Sequence, residues 1–273
     1  MGFTEDIAQR HTAAISISRH AGALALDYFN HRDRLTIDTK QDDLDVVSIA
    51  DQEVERRIRR RITEQFPDDG IIGEEHAPTP GQSGYTWVID PIDGTMPFLS
   101  GLPTWCVAIA LVSAGETVAA VTYAPVIDQC YEVIGGEAFK VNGCSVWLDN
   151  ARDVHQGMTA IGASHRSSAC GIGNVMTCLL AAGGVHYRTG SGALMLAEVA
   201  CGRLVGYFEP FMSAWDCLGG LLMVETAGGK IEALDMPRML KTGHRVIAGT
   251  QTAFPTLETM ADAYDQGWTK DGR

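Results

Sequence analysis

Trp87-Val88-Ile89-Asp90-Pro91-Ile92-Asp93-Gly94-Thr95 begins as an apolar run and ends as a short polar turn. Residues 87–89 read as the end of a buried strand. That strand delivers two carboxylates, Asp90 and Asp93, three residues apart onto a tight turn. Pro91 has no amide proton to offer a neighbouring strand, so strand pairing is expected to stop there. Gly94 lets backbone come close to a ligand, and Thr95 is placed to cap a following helix. Two acidic side chains, a hydroxyl and the amides of a helix start suit hard cations and an anion. An isolated Asp-x-x-Asp is usually an acidic surface turn. Asp-Pro-x-Asp-Gly-Thr behind an apolar strand is a much narrower pattern.

Upstream, Ile71-Ile72 forms a short strand ending in Gly73-Glu74-Glu75, and residues 76–84, with two prolines and two glycines, form a loop. The spacing of Val54, Ile58, Ile62 and Phe66 predicts a helix that starts at Ser48 or Asp51 and stops at Pro67. Its arginines, Arg56-Arg57 and Arg59-Arg60-Arg61, alternate with Glu53, Glu55 and Glu64, which reads as a solvated face rather than a nucleic-acid patch. Residues 4–30 approximate one helical face and carry no chemistry. Residues 35–39 alternate as a strand into the polar loop 40–45. Downstream, residues 105–112, 117–124, 130–134 and 138–141 read as strands, and Asn142-Gly143 is a hairpin signal. Two helices against an antiparallel sheet are therefore expected up to residue 149. From 150 to 273 strands and helices alternate: strands at 158–163, 185–188, 204–208, 230–233 and 246–247, and helices at 175–182, 193–201 and 218–226. That half is α/β. With no repeat or low-complexity linker, the boundary near 150 is a seam between subdomains.

The 273 residues suffice for a large core. Apolar residues at 45% and charged ones at 20% fit an ordinary soluble fold. No apolar run approaches the roughly 20 residues of a membrane span. The first 30 residues lack a basic start, an apolar stretch and a small-residue cleavage site, so a cytoplasmic location is expected. With 34 acidic against 21 basic residues, the net charge of −13 disfavours nonspecific binding to nucleic acid or anionic membrane. Seven scattered cysteines, never spaced Cys-x-x-Cys, are expected as reduced and mostly buried thiols. No two of the eight histidines stand four apart, against a helical zinc pair. Neither a phosphate loop ending in Gly-Lys-Ser/Thr nor a Gly-x-Ser-x-Gly elbow is present.

Asp90-Pro91-Ile92-Asp93-Gly94-Thr95, with Gly73-Glu74-Glu75 before it and Trp215-Asp216 after it, resembles the inositol monophosphatase family of Mg-dependent, lithium-sensitive phosphatases. The resemblance runs from the first helix to beyond Gly229. It implies an α/β fold layered as an αβαβα sandwich of the inositol monophosphatase and fructose-1,6-bisphosphatase type. It also implies a phosphoric monoester hydrolase holding two or three Mg²⁺ per site, working on a small phosphorylated metabolite as a homodimer. Glu74, Asp90 and the Ile92 carbonyl would bind a first metal; Asp90 would bridge to a second held by Asp93 and Asp216; a third would lie near Glu74. Thr95 would orient the attacking water, with Asp51 hydrogen-bonding its hydroxyl. The stretch Asp45-Val46-Val47-Ser48 to Asp51, then Val54-Glu55, matches the family's entry into the second helix. Lys40 matches a lysine near the site, and Glu75 is a secondary candidate. Without the resemblance, Asp216 reads as a first-turn acid of an apolar helix, and both roles are compatible.

For substrate, Glu209 falls where inositol phosphatases place a glutamate that binds polyol hydroxyls; otherwise it is an exposed acid after a strand. Gly94 and Thr95 would hold phosphate. Gly190, Ser191 and Gly192, after Arg188-Thr189, resemble the substrate-facing stretch, and Ser164-His165-Arg166 is placed to line the same mouth. Met96-Pro97 departs from the usual Thr-Asn, and residues 98–105 look somewhat like the histidinol-phosphate phosphatase branch. Inositol-1-phosphate is therefore expected ahead of L-histidinol phosphate. An adenosine 3′,5′-bisphosphate or fructose-1,6-bisphosphatase-like role follows behind, because no basic cluster for a second phosphate is evident. The rival from another class is a regulatory binding protein on the same fold, for example one that contacts transcription machinery.

Overall fold

The computed structural model describes residues 3–32, 37–39 and 46–266. Helix α1 (Phe3–Asn30) leads to a small antiparallel pair, β1 (Ile37–Thr39) and β2 (Val46–Ser48), then to α2 (Ile49–Gln65). Next come β3 (Gly70–Gly73), β4 (Tyr85–Asp93), the short α3 (Thr95–Leu99), β5 (Cys106–Ser113), β6 (Glu116–Ala124), β7 (Gln129–Ile134), β8 (Lys140–Val141) and β9 (Cys144–Ser145). These seven strands form one sheet in sequence order. All of its pairs are antiparallel except β3 with β4, which run parallel. That exception to the expected antiparallel sheet puts Gly73 beside Ile89, so Glu74 and Asp90 follow at the same end of the strand pair.

The second sheet is built from β10 (Met158–Ile161), β11 (Val185–Tyr187), β12 (Leu204–Met212), β13 (Lys230–Ile231) and β14 (His244–Gly249), in the order β11-β10-β12-β14-β13. Strand β10 runs parallel to both of its neighbours. The helices of this half are α4 (Ala169–Ala181), α5 (Gly192–Ala200), α6 (Ala214–Thr226), α7 (Met236–Thr242) and α8 (Phe254–Gln266).

Five layers result. Helices α1 and α2 cover the outer face of the first sheet, α5 and α6 fill the space between the sheets, and α4 and α8 cover the far face of the second. The sequence explains why. Strand β5 is buried at every position, as a strand with helices on both faces must be. Ile109 and Leu111 face the α1 and α2 side, whereas the small Ala108 and Ala110 let α6 pack close on the other. The largest core joins residues from before and after position 150, including Val88, Ala108, Leu196, Tyr207 and Leu218. The two halves thus share an interior.

Several boundaries differ from the sequence reading. Strand β4 does not stop at Pro91 but continues to Asp93, with Asp90 opposite Ala108 and Asp93 opposite Cys106. The proline sits in the resulting irregularity, where its missing amide costs no ladder bond. Strand β12 runs four residues beyond Phe208, so Glu209 belongs to the strand. Helix α6 starts at Ala214 and includes Trp215 and Asp216. Helices α7 and α8 escape the sequence reading, which placed nothing after residue 247 although Phe254, Leu257, Met260 and Ala261 mark a buried stripe of α8. The cysteines are unpaired, but only Cys106, Cys130 and Cys217 are buried. Among the described residues no helix is long and apolar enough to cross a membrane.

Candidate active site

Glu74, Asp90, Asp93 and Asp216 come together where β3, β4 and α6 meet. Asp90, Asp93 and Asp216 each present a carboxylate oxygen within 4.8 Å of the others. Asp90 and Asp93 are buried. Asp90 Oδ1 accepts the Ile92 amide at 2.9 Å, which folds the chain into a turn and leaves the other oxygen for the cluster. Burial pushes the Asp90 carboxyl well above the usual range, and Glu74, Asp93, Asp216 and Asp51 push it further. Asp216 is raised for the same reasons, burial first and then Asp93 and Glu74. Carboxylates that raise one another form a strained cluster, and a divalent cation with its preference for carboxylate oxygen relieves it. The donor set is therefore right for a hard cation.

Asp93 plays a second part. Its carboxylate accepts the Ala193 amide at 2.8 Å, the Gly192 amide at 3.3 Å and the Ser191 hydroxyl. Burial raises it, but these bonds at the start of α5 work the other way. One aspartate thus ties the first sheet to a helix of the second half. Ser191 is fully buried and its oxygen accepts the Leu194 amide at 3.3 Å as the cap of α5. In this fold it caps α5 and clamps Asp93, while Gly190 and Gly192 line the cavities beside it.

Gly94 has φ 95° and sits at the start of α3, and a side chain there would come within 3.0 Å of the Thr104 carbonyl. Thr95 is the first residue of α3, not its cap. Its hydroxyl donates to Asp51 Oδ1 at 3.2 Å and lies 3.4 Å from the Ile92 carbonyl oxygen. Asp51 is buried in the first turn of α2. Asp216 is the third residue of α6 and accepts the Ser213 amide at 3.0 Å, so it serves the helix start and the cluster together.

A cavity of about 1140 Å³ opens over this group, lined by Glu74, Gly94, Thr95, Gly190, Glu209 and Asp216 among others, with Ser164 at its wall. Glu75 does not reach it. Glu209 receives the Tyr207 hydroxyl, and burial lifts its carboxyl to about 7 although that hydrogen bond opposes the rise. The neighbouring Gly162 leaves the space that the Glu209 carboxylate fills. Glu209 is half-buried in a strand rather than an exposed acid after one. Lys40 lies outside the described residues.

Sequence reasoning missed one support and misjudged a cluster. Glu55, read as part of a solvated face, is fully buried. It accepts the Glu75 amide at 2.7 Å, the His76 amide at 3.2 Å and Arg59 Nε at 2.6 Å, and so fixes the turn that carries Glu74. The signal was available: Glu55 stands four residues after Asp51 and three before Ile58, on the buried side of α2. The basic cluster that the sequence did not reveal is also present. His165 and Arg166 after β10 and Arg188 after β11 line the same cavity.

A sequence model of the inositol monophosphatase family matches residues 6–264. The chain belongs to the inositol monophosphatase family. It is 35% identical over 254 residues to the Nus factor SuhB of Xylella fastidiosa, covering 90% of this chain and 92% of that one. It is 36% identical over 216 residues to the inositol-1-monophosphatase of Mesorhizobium japonicum, covering 76% and 79%. The crystal structure of the extragenic suppressor protein SuhB from Bartonella henselae superposes with a TM-score of 0.85 at 28% identity, over 94% of this chain and 98% of that one. Family membership supports a metal-dependent phosphatase activity towards a small phosphorylated compound.

Proposed function

We propose that this chain is a Mg²⁺-dependent phosphomonoesterase of small metabolites, for which inositol-1-phosphate and then L-histidinol phosphate are the first esters to try. The observation that carries the reading is the meeting of Asp90, Asp93 and Asp216 within 4.8 Å beside a cavity that Glu74 and Asp216 line and that is large enough for a metabolite. Glu74, Asp90 and the Ile92 carbonyl would hold one ion, and Asp90, Asp93 and Asp216 a second. Bound there, the cations would neutralise phosphate charge, acidify water and stabilise the leaving oxygen.

The protein's own groups do the positioning. The Thr95 hydroxyl gives its proton to Asp51, so its lone pairs are free to accept a proton from water and orient it in line with the phosphorus. Gly94 and Thr95 bring backbone close to the phosphate. Tyr207 holds Glu209 in place to accept hydroxyls of the leaving alcohol. The reading also carries inhibition by lithium and a homodimeric, cytoplasmic protein. Phosphate release should require Mg²⁺ and disappear with a chelator. Metal-independent release, or none from any phosphomonoester, would overturn it.

The name Nus factor among the relatives favours a second reading, a binding protein in transcription. Asp93→Asn separates the two: Mg²⁺-dependent phosphate release that the variant loses favours the enzyme, and salt-insensitive binding to RNA or RNA polymerase that survives the variant favours the binding role.

A further inference from the structure

A second set of charges shares the cavity with the acid cluster. Strands β10 and β11 lie side by side in parallel, with Ala160 opposite Tyr187, so the loops at their C-terminal ends emerge together. These loops carry His165, Arg166 and Arg188, and all three line the cavity wall. Arg188 is held by a hydrogen bond from Nη2 to the Ala163 carbonyl at 2.6 Å, which fastens one loop to the other. Arg166 stacks its guanidinium 4.5 Å above the centre of the Phe211 ring. Both are thus placed by contacts that leave guanidinium N–H groups over.

Several arginines elsewhere are matched by acids within the fold. Arg10 pairs with Asp69, Arg59 with Glu55, Arg203 with Glu198 and Arg245 with Glu232. Among the described residues, neither Arg166 nor Arg188 makes an ion pair within 4 Å. The acid that faces Arg188 is Glu209, already engaged by the Tyr207 hydroxyl. In a chain of net charge −13, arginines without carboxylate partners on a cavity wall mark a place where an anion would be matched. The phosphate to be cleaved belongs at the acid cluster with its cations. An uncharged polyol attached to it would leave the arginines without a partner.

We propose that the cavity selects phosphate monoesters whose alcohol part carries a second anionic group, phosphate or carboxylate, held by His165, Arg166 and Arg188. The proposal rests on the phosphatase reading and narrows it. It also removes the ground on which bisphosphates ranked low from sequence alone.

The test uses three esters on one skeleton with the Mg²⁺-loaded full chain: glucose 6-phosphate, glucose 1,6-bisphosphate and 6-phosphogluconate. The doubly anionic pair should exceed glucose 6-phosphate in kcat/KM by about 10- to 100-fold, the scale of a charge-assisted contact. Arg166→Ala should erase that advantage chiefly through KM, and Arg166→Lys should restore part of it. The ratio between bisphosphate and phosphogluconate tells phosphate from carboxylate. Equal kcat/KM for the three esters, or an equal loss on all three in Arg166→Ala, overturns the proposal. If none of the three is hydrolysed, the phosphatase reading is decided on inositol-1-phosphate and L-histidinol phosphate, apart from the subsite. Calorimetric titration with glucose 1,6-bisphosphate and glucose 6-phosphate then decides the subsite. Tighter binding of the bisphosphate that Arg166→Ala abolishes supports it, and equal binding overturns it.

Discussion

Asp69 and Asp90 are the same residue type, both buried, at opposite ends of the β3–β4 pair, and their surroundings are inverted. Asp69 accepts two bonds from Arg10, at 2.8 and 2.9 Å, one from the Trp87 indole at 2.8 Å and one from the Ser83 hydroxyl at 2.6 Å. Burial alone would raise its carboxyl, but these partners prevail and hold it below the usual range. Asp90 is surrounded by other acids and is held well above that range. One end of the strand pair is neutralised by the protein itself; the other is built to be completed by something it binds. Burial of a carboxylate therefore says little until its partners are counted.

The contrast is sharpest in Asp90→Asn. Phosphate release should fall at least ~10²-fold, the scale of losing one preorganised electrostatic contact. Metal-free melting should hold or rise, because a repelling charge is gone. A variant that keeps its turnover would remove Asp90 from the chemistry.

Asp69→Ala should do the reverse. Leaving Arg10 unpaired should cost about 3–5 kcal/mol of folding stability in denaturant titration, while kcat of the folded protein stays within a few-fold. Little change in stability would mean that the compensated end is not the anchor inferred from its bonds. An intermediate case is Glu55→Gln, which sits behind Glu74. It should weaken apparent Mg²⁺ affinity by about 10- to 100-fold, read from the metal dependence of phosphate release, with a smaller drop in melting temperature.

The smallest effect is in pH. Asp90, Asp93 and Asp216 have folded values above their unfolded ones, so their protonation favours the metal-free fold at low pH. That contribution is lost as pH rises through the folded values, and Glu209, at about 7, behaves the same way. Asp69, held low, contributes above its unfolded value and loses its contribution only as pH falls through the folded one. Metal-free protein should thus melt higher at pH 6 than at pH 8, and either Mg²⁺ or Asp90→Asn should shrink the difference. A difference untouched by both would place its origin outside the acid cluster.

How much of this the sequence disclosed follows the same division. The end of β4 was readable because Asp90-Pro91-Ile92-Asp93-Gly94-Thr95 is local, and a few adjacent residues carry both the turn and the donors. The buried helical face through Val54, Ile58 and Ile62 was equally local. Partnerships across the chain were not. Asp69 meets Trp87 eighteen residues on and Arg10 fifty-nine residues back, and no periodicity connects them. Ser191 looked like a small residue beside substrate because nothing local shows that its hydroxyl turns to Asp93. Arg166 and Arg188 become a pair only through the parallel register of β10 and β11, which strand propensity does not specify. The start of α4 was missed because Gly171 and Gly173 weaken helix propensity there, and its cap Ser168 supplies the signal instead.

The most direct measurement is an anomalous-scattering map from crystals soaked in Mn²⁺, a scattering stand-in for Mg²⁺ at oxygen ligands. Ion peaks in coordination contact with Asp90, Asp93 and Asp216 are expected. Crystals in which Asp90 and Asp216 stay bare while ions bind elsewhere would contradict the idea that this end of the strand is completed by metal.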